Sequence, residues 1–428
     1  MSSPLSPADV LREFARARTR VHTIMDEVTD STLERQWMPI LSPMVWDLAH
    51  IGHYEDLWLG RAMLGSRLSG EREDRVYDAF RNPRSDRASH PLLGPVEARR
   101  YIGRIRDRSL AAIEEGLLDP RRADAPVLVD RGFVVGLVIQ HEHQHAETVL
   151  QSRQAMGEEA EPLHHAAHRT ERRAPVPDAA GRWCRHPGGD VVIGTDAPWA
   201  YDNERPAHTV RVAPFSIAEV PVTCGQWAEF IRAGSYTDRG LWTREGWEWR
   251  SGEGAVAPLH WRRSGGDDWE VLRFGDWRPV DPDEPVQHVS WFEADAFAHF
   301  AGARLPTETE WEAAAAGLPR PVWPEANAGT STDGPLPVSA ERAASSIGCR
   351  AMLGDVWEWT SSTFGPWPGF RVFPYAEYSE VFFGDRHRVL RGGSWASDPM
   401  VCRATFRNWD LPRRRQIFAG LRLARDDA

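Results

Sequence analysis

The sequence lacks the segments that would carry a protein into or across a membrane. It has no run of about 18 apolar residues, and its N-terminal MSSPLSPADVLREF has no positive region followed by an apolar one. The four cysteines are widely spaced and form no CxxC motif, which argues against a disulfide framework and against a thiolate zinc site. We therefore expect a cytoplasmic protein without a membrane span.

An excess of positive charge is also missing, because the formal net charge is -11. This balance argues against nucleic acid and anionic membranes as partners. Neither a βαβ pattern nor an internal repeat is evident, so a parallel α/β fold and a repeat array are not expected. A chain of 428 residues is too long for one ordinary core and predicts two domains.

The two expected domains differ in composition, since nearly all of the 20 tryptophans follow residue 182. Residues 157–182 are charged and contain proline without apolar periodicity, which predicts a linker. We expect a helical domain over residues 1–156 and an irregular α+β domain over residues 183–428. The linker contains three histidines that we expect to be solvated, namely His164, His165 and His168.

Four stretches of the first domain carry apolar residues three and four positions apart, which is typical of amphipathic helices. One begins after Ser6-Pro7, and the others cover residues 44–64, 95–118 and 135–151. Helices joined by polar connections predict a four-helix bundle, and bundles commonly hold metals between facing helices.

The fourth helix has three histidines within the stretch VGLVIQHEHQHAETVLQ. At ~100° per residue, His141 and His145 share one stripe of the helix, whereas His143 points the opposite way. Glu147 is one turn after His143, so we expect these two residues on the solvent side. Two imidazoles one turn apart are a common start of a metal site, although the pattern is not the HExxH of zinc proteases.

A third ligand is expected on the second helix, in VWDLAHIGHYEDLW. His50 and His53 are three positions apart and could both face inward, or either could be a hydrogen-bonded core histidine. Three imidazoles on one side of an ion leave positions open, which suits catalysis better than a structural site. Ligand type alone leaves zinc and iron open.

The second domain consists of short apolar runs between glycine, proline, aspartate and tryptophan. Helical patterns occur only at residues 224–233, 291–301 and 308–316, the last after the capping Thr307. This pattern of short apolar runs and few helices predicts an irregular, loop-rich α+β domain that is stabilised by tryptophan packing.

The motifs VWDLAHIG, YDAFRNPRSDR and HEHQHAET resemble the DinB-like bundle of the non-heme iron sulfoxide synthases of ergothioneine biosynthesis. The resemblance implies that His50, His141 and His145 are the iron ligands. This set agrees with the helical stripe, from which His143 is absent. His53 departs from the family, where glutamine is common, and could lie near the metal without binding it.

The second domain contains GGDVVIGTD, FSIAEVPVTCGQWAEFI, MLGDVWEWTSS and RVLRGGSW, which resemble the formylglycine-generating, or sulfatase-modifying, domain with its C-type-lectin-like fold. Formylglycine generation would require a cysteine pair near the C-terminus. Here Leu423 stands where the thiol is expected and Cys402 stands alone, so that activity is not expected. The sulfoxide synthases carry this same domain fused behind the bundle.

The resemblance implies an Fe(II)- and O2-dependent enzyme that joins γ-glutamylcysteine to hercynine, a trimethylated histidine. Free cysteine or a selenium donor are alternatives within the same class. From other classes, the bundle also resembles metal-dependent DinB thiol transferases that do not use O2, and a metal-stabilised binding module remains a third interpretation.

The resemblance also assigns residues to the reaction. Tyr375 matches the proton donor of C–S bond formation, and Tyr378 a nearby binding group. Gln144 matches a contact to the imidazole of hercynine, while Asn408 and Trp409 match positions near its trimethylammonium group, which an aromatic face can bind. Loop packing for the tyrosines and a backbone-bonded amide for Gln144 are the structural alternatives.

γ-Glutamylcysteine carries two carboxylates and an ammonium group, so its recognition requires cations and an anion. Arg84, Arg87 and Arg414 are the expected carboxylate ligands, through forked hydrogen bonds. Asp410 is expected to accept the ammonium group. The other arginines of these motifs, Arg81, Arg413 and Arg415, are expected to be solvated.

Overall fold

The computed structural model describes residues 7–119, 127–163, 181–319 and 326–427. The chain divides into two compact units. The first, here the helical unit, contains Met1–His165 and Ala197–Ala200. The second, here the mixed unit, contains Ala166–Asp196 and Tyr201–Ala428.

Most of the predicted linker lies outside the described residues. His164, His165 and His168 are among the residues not described, so their solvated state stays a prediction. The domain boundaries proposed from the sequence likewise stay predictions.

Four long helices of the helical unit correspond to the four predicted ones. Its α-helices are α1 (Pro7–Asp26), α2 (Asp30–Glu34), α3 (Met44–Glu55), α4 (Glu71–Tyr77), α5 (Pro95–Glu114) and α6 (Phe133–Ala155). α3 packs against α5 and α6, and α6 packs against α1. The second predicted helix is α3 continued by a π-helical segment, Asp56–Met63. Within the described part of the chain, no helix is long and apolar enough to cross a membrane.

The interface between α3 and α5 depends on a glycine. A Cβ atom on Gly52 would lie 2.6 Å from Cγ2 of Ile102, a separation that real structures do not contain. The absent side chain therefore lets the two helix backbones approach closely. This packing sets the position of α3 within the bundle.

A network of four charged side chains lies at the centre of the bundle. Arg106 on α5 donates to both oxygens of Glu55 on α3 and, at 2.6 Å, to Glu142 on α6. Arg18 on α1 donates to the same two carboxylates. Burial alone would raise the pKa of Glu142, but Arg18 and Arg106 lower it to about 2. The network connects all four long helices.

The structure corrects the expectation that His143 and Glu147 face solvent. Their exposed fractions are 0% and 6%. α1 covers this side of α6, where Arg16 Nη2 lies 3.3 Å from His143 Nε2 and Arg20 donates to the His143 carbonyl. Two arginines of α1 thus contact His143, and the local pattern of α6 contains no information about that neighbouring helix.

The mixed unit contains four small sheets in the described residues. Its strands are β1 (Trp183–His186), β2 (Gly189–Ile193), β3 (His208–Val212), β4 (Phe215–Ala218), β5 (Trp261–Gly265), β6 (Asp268–Arg273), β7 (Asp276–Pro279), β8 (Trp357–Thr363), β9 (Arg388–Arg391), β10 (Asn408–Asp410), β11 (Ala419–Leu421) and β12 (Ala424–Asp426). The strand orders are β1-β4-β12, β10-β9-β8-β11, β2-β3 and β5-β6-β7. β11 and β8 are parallel, and the other pairs are antiparallel.

Three helices of this unit match the predicted ones, and one was missed. The matching helices are α7 (Cys224–Arg232), α9 (Trp291–Phe300) and α10 (Glu308–Ala314), whereas α8 (Arg244–Glu253) was not predicted. The sequence of α8, REGWEWRSGE, has little apolar periodicity. Its signals lie at its ends, where Thr243 accepts from the Gly246 amide and Gly254 adopts a left-handed φ of 63°.

Buried arginine–carboxylate pairs accompany tryptophan packing in the mixed unit. Arg422 and Glu358 are fully buried and form two hydrogen bonds, and Trp311 Nε1 donates to the same carboxylate. The sequence contains no lysine, so every such pair uses a guanidinium, whose planar fork matches a carboxylate.

We expect the substitution Arg106→Leu to lower the free energy of unfolding by about 3–5 kcal/mol, because Glu55 and Glu142 would stay buried without their main partner. Urea denaturation followed by far-UV circular dichroism measures this. Arg12 pairs with Asp9 and is 65% exposed, so Arg12→Leu should change the stability by less than about 1 kcal/mol. Equal losses in the two variants would contradict a stabilising role for the central network.

We also expect stability of the mixed unit to fall at acidic pH because of His288. Burial, and then the nearby His260, hold the pKa of His288 well below its ordinary value. As pH falls below about 6.5, the unfolded chain therefore binds a proton at His288 that the folded unit does not bind. Protonation thus stabilises the unfolded state relative to the folded state, and the free energy of unfolding falls.

The substitution His288→Asn should reduce this pH dependence, and asparagine tolerates the φ of 63° found at this position. The measurement is urea denaturation at pH 7.5 and pH 5, followed by tryptophan fluorescence. The exposed His299, replaced by asparagine, is the control. An unchanged loss of stability in His288→Asn would show that other groups cause it.

Candidate functional site

Three histidines from two helices converge in the bundle. The candidate ligand atoms of His50 on α3 and of His141 and His145 on α6 all lie within 4.8 Å of one another. Two nitrogen ligands of one ion are separated by about 3–4 Å, given bonds of about 2.1 Å. The cluster therefore needs only small adjustments to bind a single metal ion.

Two of the imidazoles are oriented by hydrogen bonds at Nδ1. His50 Nδ1 donates to the carbonyl of Tyr77 at 2.7 Å, and His145 Nδ1 pairs with Oδ1 of Asp47 at 3.0 Å. A proton on each Nδ1 leaves the Nε2 lone pair available. Such partners fix the ring and its tautomer in metal sites.

The third imidazole is held by stacking. The His141 ring lies on the ring of Tyr54, with centroids 3.7 Å apart and planes within 8°. Its Nδ1 is buried and has no hydrogen-bond partner within the described part of the chain. An unsatisfied buried nitrogen is costly, so this atom is consistent with a site prepared for an ion.

The electrostatics of the cluster favour the neutral form of two of the imidazoles, His50 and His141. Burial, followed by the neighbouring histidines, holds the pKa values of His50 and His141 well below the ordinary value. Neutral imidazole is the form that binds metals. The residues present therefore fit a metal ion bound by three histidines.

Two residues that were not predicted from the sequence, Trp46 and Asp47, contact the clustered histidines. Asp47 is 1% exposed and contacts His145, as described above. Trp46 stacks on His50 with centroids 4.6 Å apart, and the guanidinium of Arg87 lies 3.5 Å from the centre of the Trp46 ring. The sequence did contain a signal for Asp47, because it lies three residues before His50 and therefore about one turn away on the same helix.

His53 is not one of the three clustered histidines, and its side chain pairs with an aspartate instead. Its Nε2 pairs with Oδ1 of Asp74 at 3.1 Å, and Asp74 also accepts from Arg61 and Arg67. His53 is thus part of an ionic group beside the histidines.

Of the other residues predicted in this unit, Gln144 lies on α6 next to His145 and donates to the Gln140 carbonyl at 3.3 Å. Arg87 is buried, and one of its nitrogens donates to the Ser42 hydroxyl at 2.7 Å. Arg84 is exposed. Their contacts to substrate stay predictions.

The mixed unit brings its predicted residues together as well. The ring centroids of Tyr375 and Tyr378 are 6.2 Å apart, and those of Tyr378 and Trp409 are 5.9 Å apart. Trp409 lies on β10 between Asn408 and Asp410. Two separate stretches of sequence therefore meet at one aromatic cluster.

Charges of both signs follow Trp409 directly in the sequence. Asp410 Oδ1 lies 3.3 Å from Arg414 Nε. A carboxylate next to a guanidinium can bind the ammonium and carboxylate groups of an amino acid. Burial, and then Tyr201, hold the pKa of Tyr378 well above its ordinary value, so this phenol stays protonated at neutral pH.

Comparison with characterised proteins finds relatives along the whole chain. The hercynine oxygenase of Mycobacterium tuberculosis is 44% identical over 98% of this chain and 99% of its own length. That of Mycolicibacterium smegmatis is 45% identical over 97% of this chain and 98% of its own length. The chain belongs to the hercynine oxygenase family. It is therefore an oxygenase related to the sulfoxide synthases of ergothioneine biosynthesis.

Two domain families match this hercynine oxygenase family member. Residues 6–149 match the DinB superfamily, and residues 173–427 match the Sulfatase-modifying factor enzyme 1-like domain. A formylglycine-generating enzyme of Streptomyces coelicolor is 33% identical over 56% of this chain and 88% of its own length. The predicted fold class, a DinB-like bundle followed by a formylglycine-generating-enzyme-like domain, is confirmed.

We expect His50→Ala to retain less than about a tenth of the bound metal, because one of three ligands is lost. His143→Ala should retain the metal, since His143 faces α1 instead. Metal per folded chain, measured by inductively coupled plasma mass spectrometry, compares the two variants. Similar losses in both would refute the assignment of His50 and not His143 to the cluster.

Asp47→Asn should give an intermediate result. It leaves all three imidazoles in place but weakens the orientation of His145, and such changes typically cost about 10- to 100-fold in metal affinity. Competition with a chelator measures this affinity. An affinity equal to that of the unsubstituted protein would exclude a supporting role for Asp47.

Proposed function

We propose that this chain is an Fe(II)- and O2-dependent sulfoxide synthase that joins γ-glutamylcysteine to hercynine and yields γ-glutamyl hercynylcysteine sulfoxide. The convergence of three imidazoles supports this most strongly, because it occurs in a chain whose full-length relatives are hercynine oxygenases. A thiol, an imidazole C–H group and O2 would give the sulfoxide and water. This balance requires no external reductant.

The proposed metal is iron, held by His50, His141 and His145. Imidazole ligands suit zinc, copper, nickel and iron, and among these an oxygenase requires a redox-active ion. When bound, Fe(II) would supply O2 activation and a binding position for the thiolate sulfur. The protein orients the ligand rings through Tyr77, Asp47 and the stacked Tyr54.

The proposed substrate contacts are divided by chemical type. Cationic side chains bind the carboxylates of γ-glutamylcysteine, while Asp410 accepts its ammonium group. Gln144 contacts the imidazole of hercynine, and Trp409 lies against the trimethylammonium group beside Asn408. The proposed carboxylate ligands are Arg84, Arg87 and Arg414. The contact between Asp410 and Arg414 supports the pairing of these two roles.

Tyr375 is the proposed proton donor, with Tyr378 as a neighbouring binding group. A phenol of pKa near ~10 holds its proton at neutral pH and can release and recover it during a reaction. The proton would leave from the Tyr375 hydroxyl and return there when the imidazole C–H bond is broken.

Oxygen uptake tests the proposed reaction directly. The protein loaded with Fe(II) should consume about one O2 per sulfoxide when both hercynine and γ-glutamylcysteine are present. Free cysteine and a selenium donor replace γ-glutamylcysteine in parallel samples and test the alternatives within the class. No uptake with any donor would refute the proposal and favour a thiol transferase without O2 chemistry.

We expect Tyr375→Phe to retain the metal and both substrates but to shift the products towards oxidation of the thiol alone, because the proton donor for C–S bond formation is lost. Mass spectrometry of the products gives the ratio of sulfoxide to oxidised thiol. Tyr101→Phe, which removes a buried phenol hydrogen bonded to Ser69 in the helical unit, is the control. An unchanged ratio in Tyr375→Phe would remove Tyr375 from the mechanism.

A further inference from the structure

One buried carboxylate holds both ends of the loop that contains Tyr375. Asp202, which is 1% exposed, accepts a hydrogen bond at Oδ2 from the Phe373 amide at 3.2 Å. Its other oxygen, Oδ1, accepts from the Ser379 hydroxyl. Residues 374–378 therefore form a loop whose two flanking residues, Phe373 and Ser379, are hydrogen bonded to the same side chain.

The neighbours of Asp202 contact the same loop. Asn203 donates from Nδ2 to the Ser379 hydroxyl at 3.0 Å. The ring of Tyr201 stacks on that of Tyr378, with centroids 4.1 Å apart and planes within 15°. Three consecutive residues thus support the loop from one side.

The short helical turn that contains Asp202, Asp202–Glu204, also contacts the segment that leads into β10. Glu204 is fully buried and accepts from Arg403 and from the Thr405 hydroxyl. Arg407, which directly precedes Asn408, donates to the Asn203 carbonyl at 2.8 Å. The turn therefore fixes the Tyr375 loop and the Trp409 strand against a common support.

A carboxylate in this position is costly to bury. Burial raises the pKa of Asp202, which the hydrogen bonds from Ser379 and Phe373 counteract. Apolar residues could fill the space without that cost, but they could not accept from a backbone amide and a hydroxyl at the two ends of one loop. The arrangement is thus suited to fixing a loop in one conformation.

We propose that Asp202 is a positioning residue that holds the Tyr375 hydroxyl in the place from which it donates its proton. This inference rests on the proposed function, in which Tyr375 is the proton donor. Proton transfer is sensitive to displacements of about 1 Å, so a loosened loop would slow C–S bond formation more than it would weaken substrate binding.

Asp202→Asn is the first test because it preserves the size of the side chain. The amide oxygen can still accept from the Phe373 amide, but the NH2 group can only donate towards the Ser379 hydroxyl. The stronger hydroxyl-to-carboxylate hydrogen bond at that end of the loop is therefore lost. Ser379→Ala removes only one hydroxyl and is the second variant, should Asp202→Asn fail to fold. Glu377→Gln, which removes a charge from an exposed residue of the loop itself, is the matched control.

Hydrogen–deuterium exchange of residues 373–379 measures the anchoring without reference to the reaction. We expect exchange to be faster by about tenfold or more in Asp202→Asn and unchanged in Glu377→Gln. Metal content should be the same in all variants. Unchanged exchange in both Asp202→Asn and Ser379→Ala would overturn the inference.

Product analysis then tests whether Asp202 acts through Tyr375. In Asp202→Asn, kcat for the sulfoxide should fall by about tenfold or more, KM for each substrate should change far less, and the products should shift towards oxidised thiol. In the Tyr375→Phe background, adding Asp202→Asn should cause no further shift, because the group it positions is already absent.

The possible results separate this inference from the proposed function. If Tyr375→Phe shifts the products but Asp202→Asn does not, the positioning role is overturned and the proposed function stands. If Asp202→Asn causes a further shift in the Tyr375→Phe background, Asp202 acts by another route and the inference is again overturned. If Tyr375→Phe causes no shift, Tyr375 is not the proton donor and the inference fails with that assignment, whereas the proposed reaction is still decided by oxygen uptake. Faster exchange in Asp202→Asn would then describe a structural anchor alone.

Discussion

The arrangement of the helical unit depends on the ionic network formed by Arg18, Glu55, Arg106 and Glu142. Glu55 lies on α3, five residues after His50, and Glu142 directly follows His141 on α6. The arginines connect these carboxylates across the bundle, so the network that joins the helices also sets the separation of their imidazoles. Removing one partner of such a network leaves an uncompensated buried charge, which keeps the arrangement specific as well as stable.

The mixed unit uses buried carboxylates in a comparable way, although with short turns instead of long helices. Glu358 pairs with Arg422 in its core, while Asp202 and Glu204 hold segments that carry residues proposed to contact substrate. Because irregular loops make few repeating backbone hydrogen bonds, their conformation depends on side chains that accept from backbone amides. A fold with short strands can therefore present a defined aromatic cluster.

Membership of the hercynine oxygenase family explains why a formylglycine-generating-enzyme-like domain occurs without the cysteine pair of that chemistry. At the end of the chain, Leu423 is buried in the core and Cys402 is a buried thiol. Under the proposed function, this domain contributes binding groups and a phenol, and the DinB-like bundle contributes the metal ligands. The alternative of a DinB thiol transferase accounts for the bundle but not for relatives named as oxygenases over the whole chain.

Sequence patterns alone predicted the four long helices, the irregular second domain and the shared stripe of His141 and His145, because such patterns reflect local structure. The sequence also placed His50 on a facing helix, with the help of the family motif. Which polar residues are buried, and which residues bury them, is visible only in the packed fold. Asp47 contacts a histidine 98 positions away, and Asp202 an amide 171 positions away, while His143 is buried by α1. Such contacts join residues through packing, and no pattern within one segment specifies them.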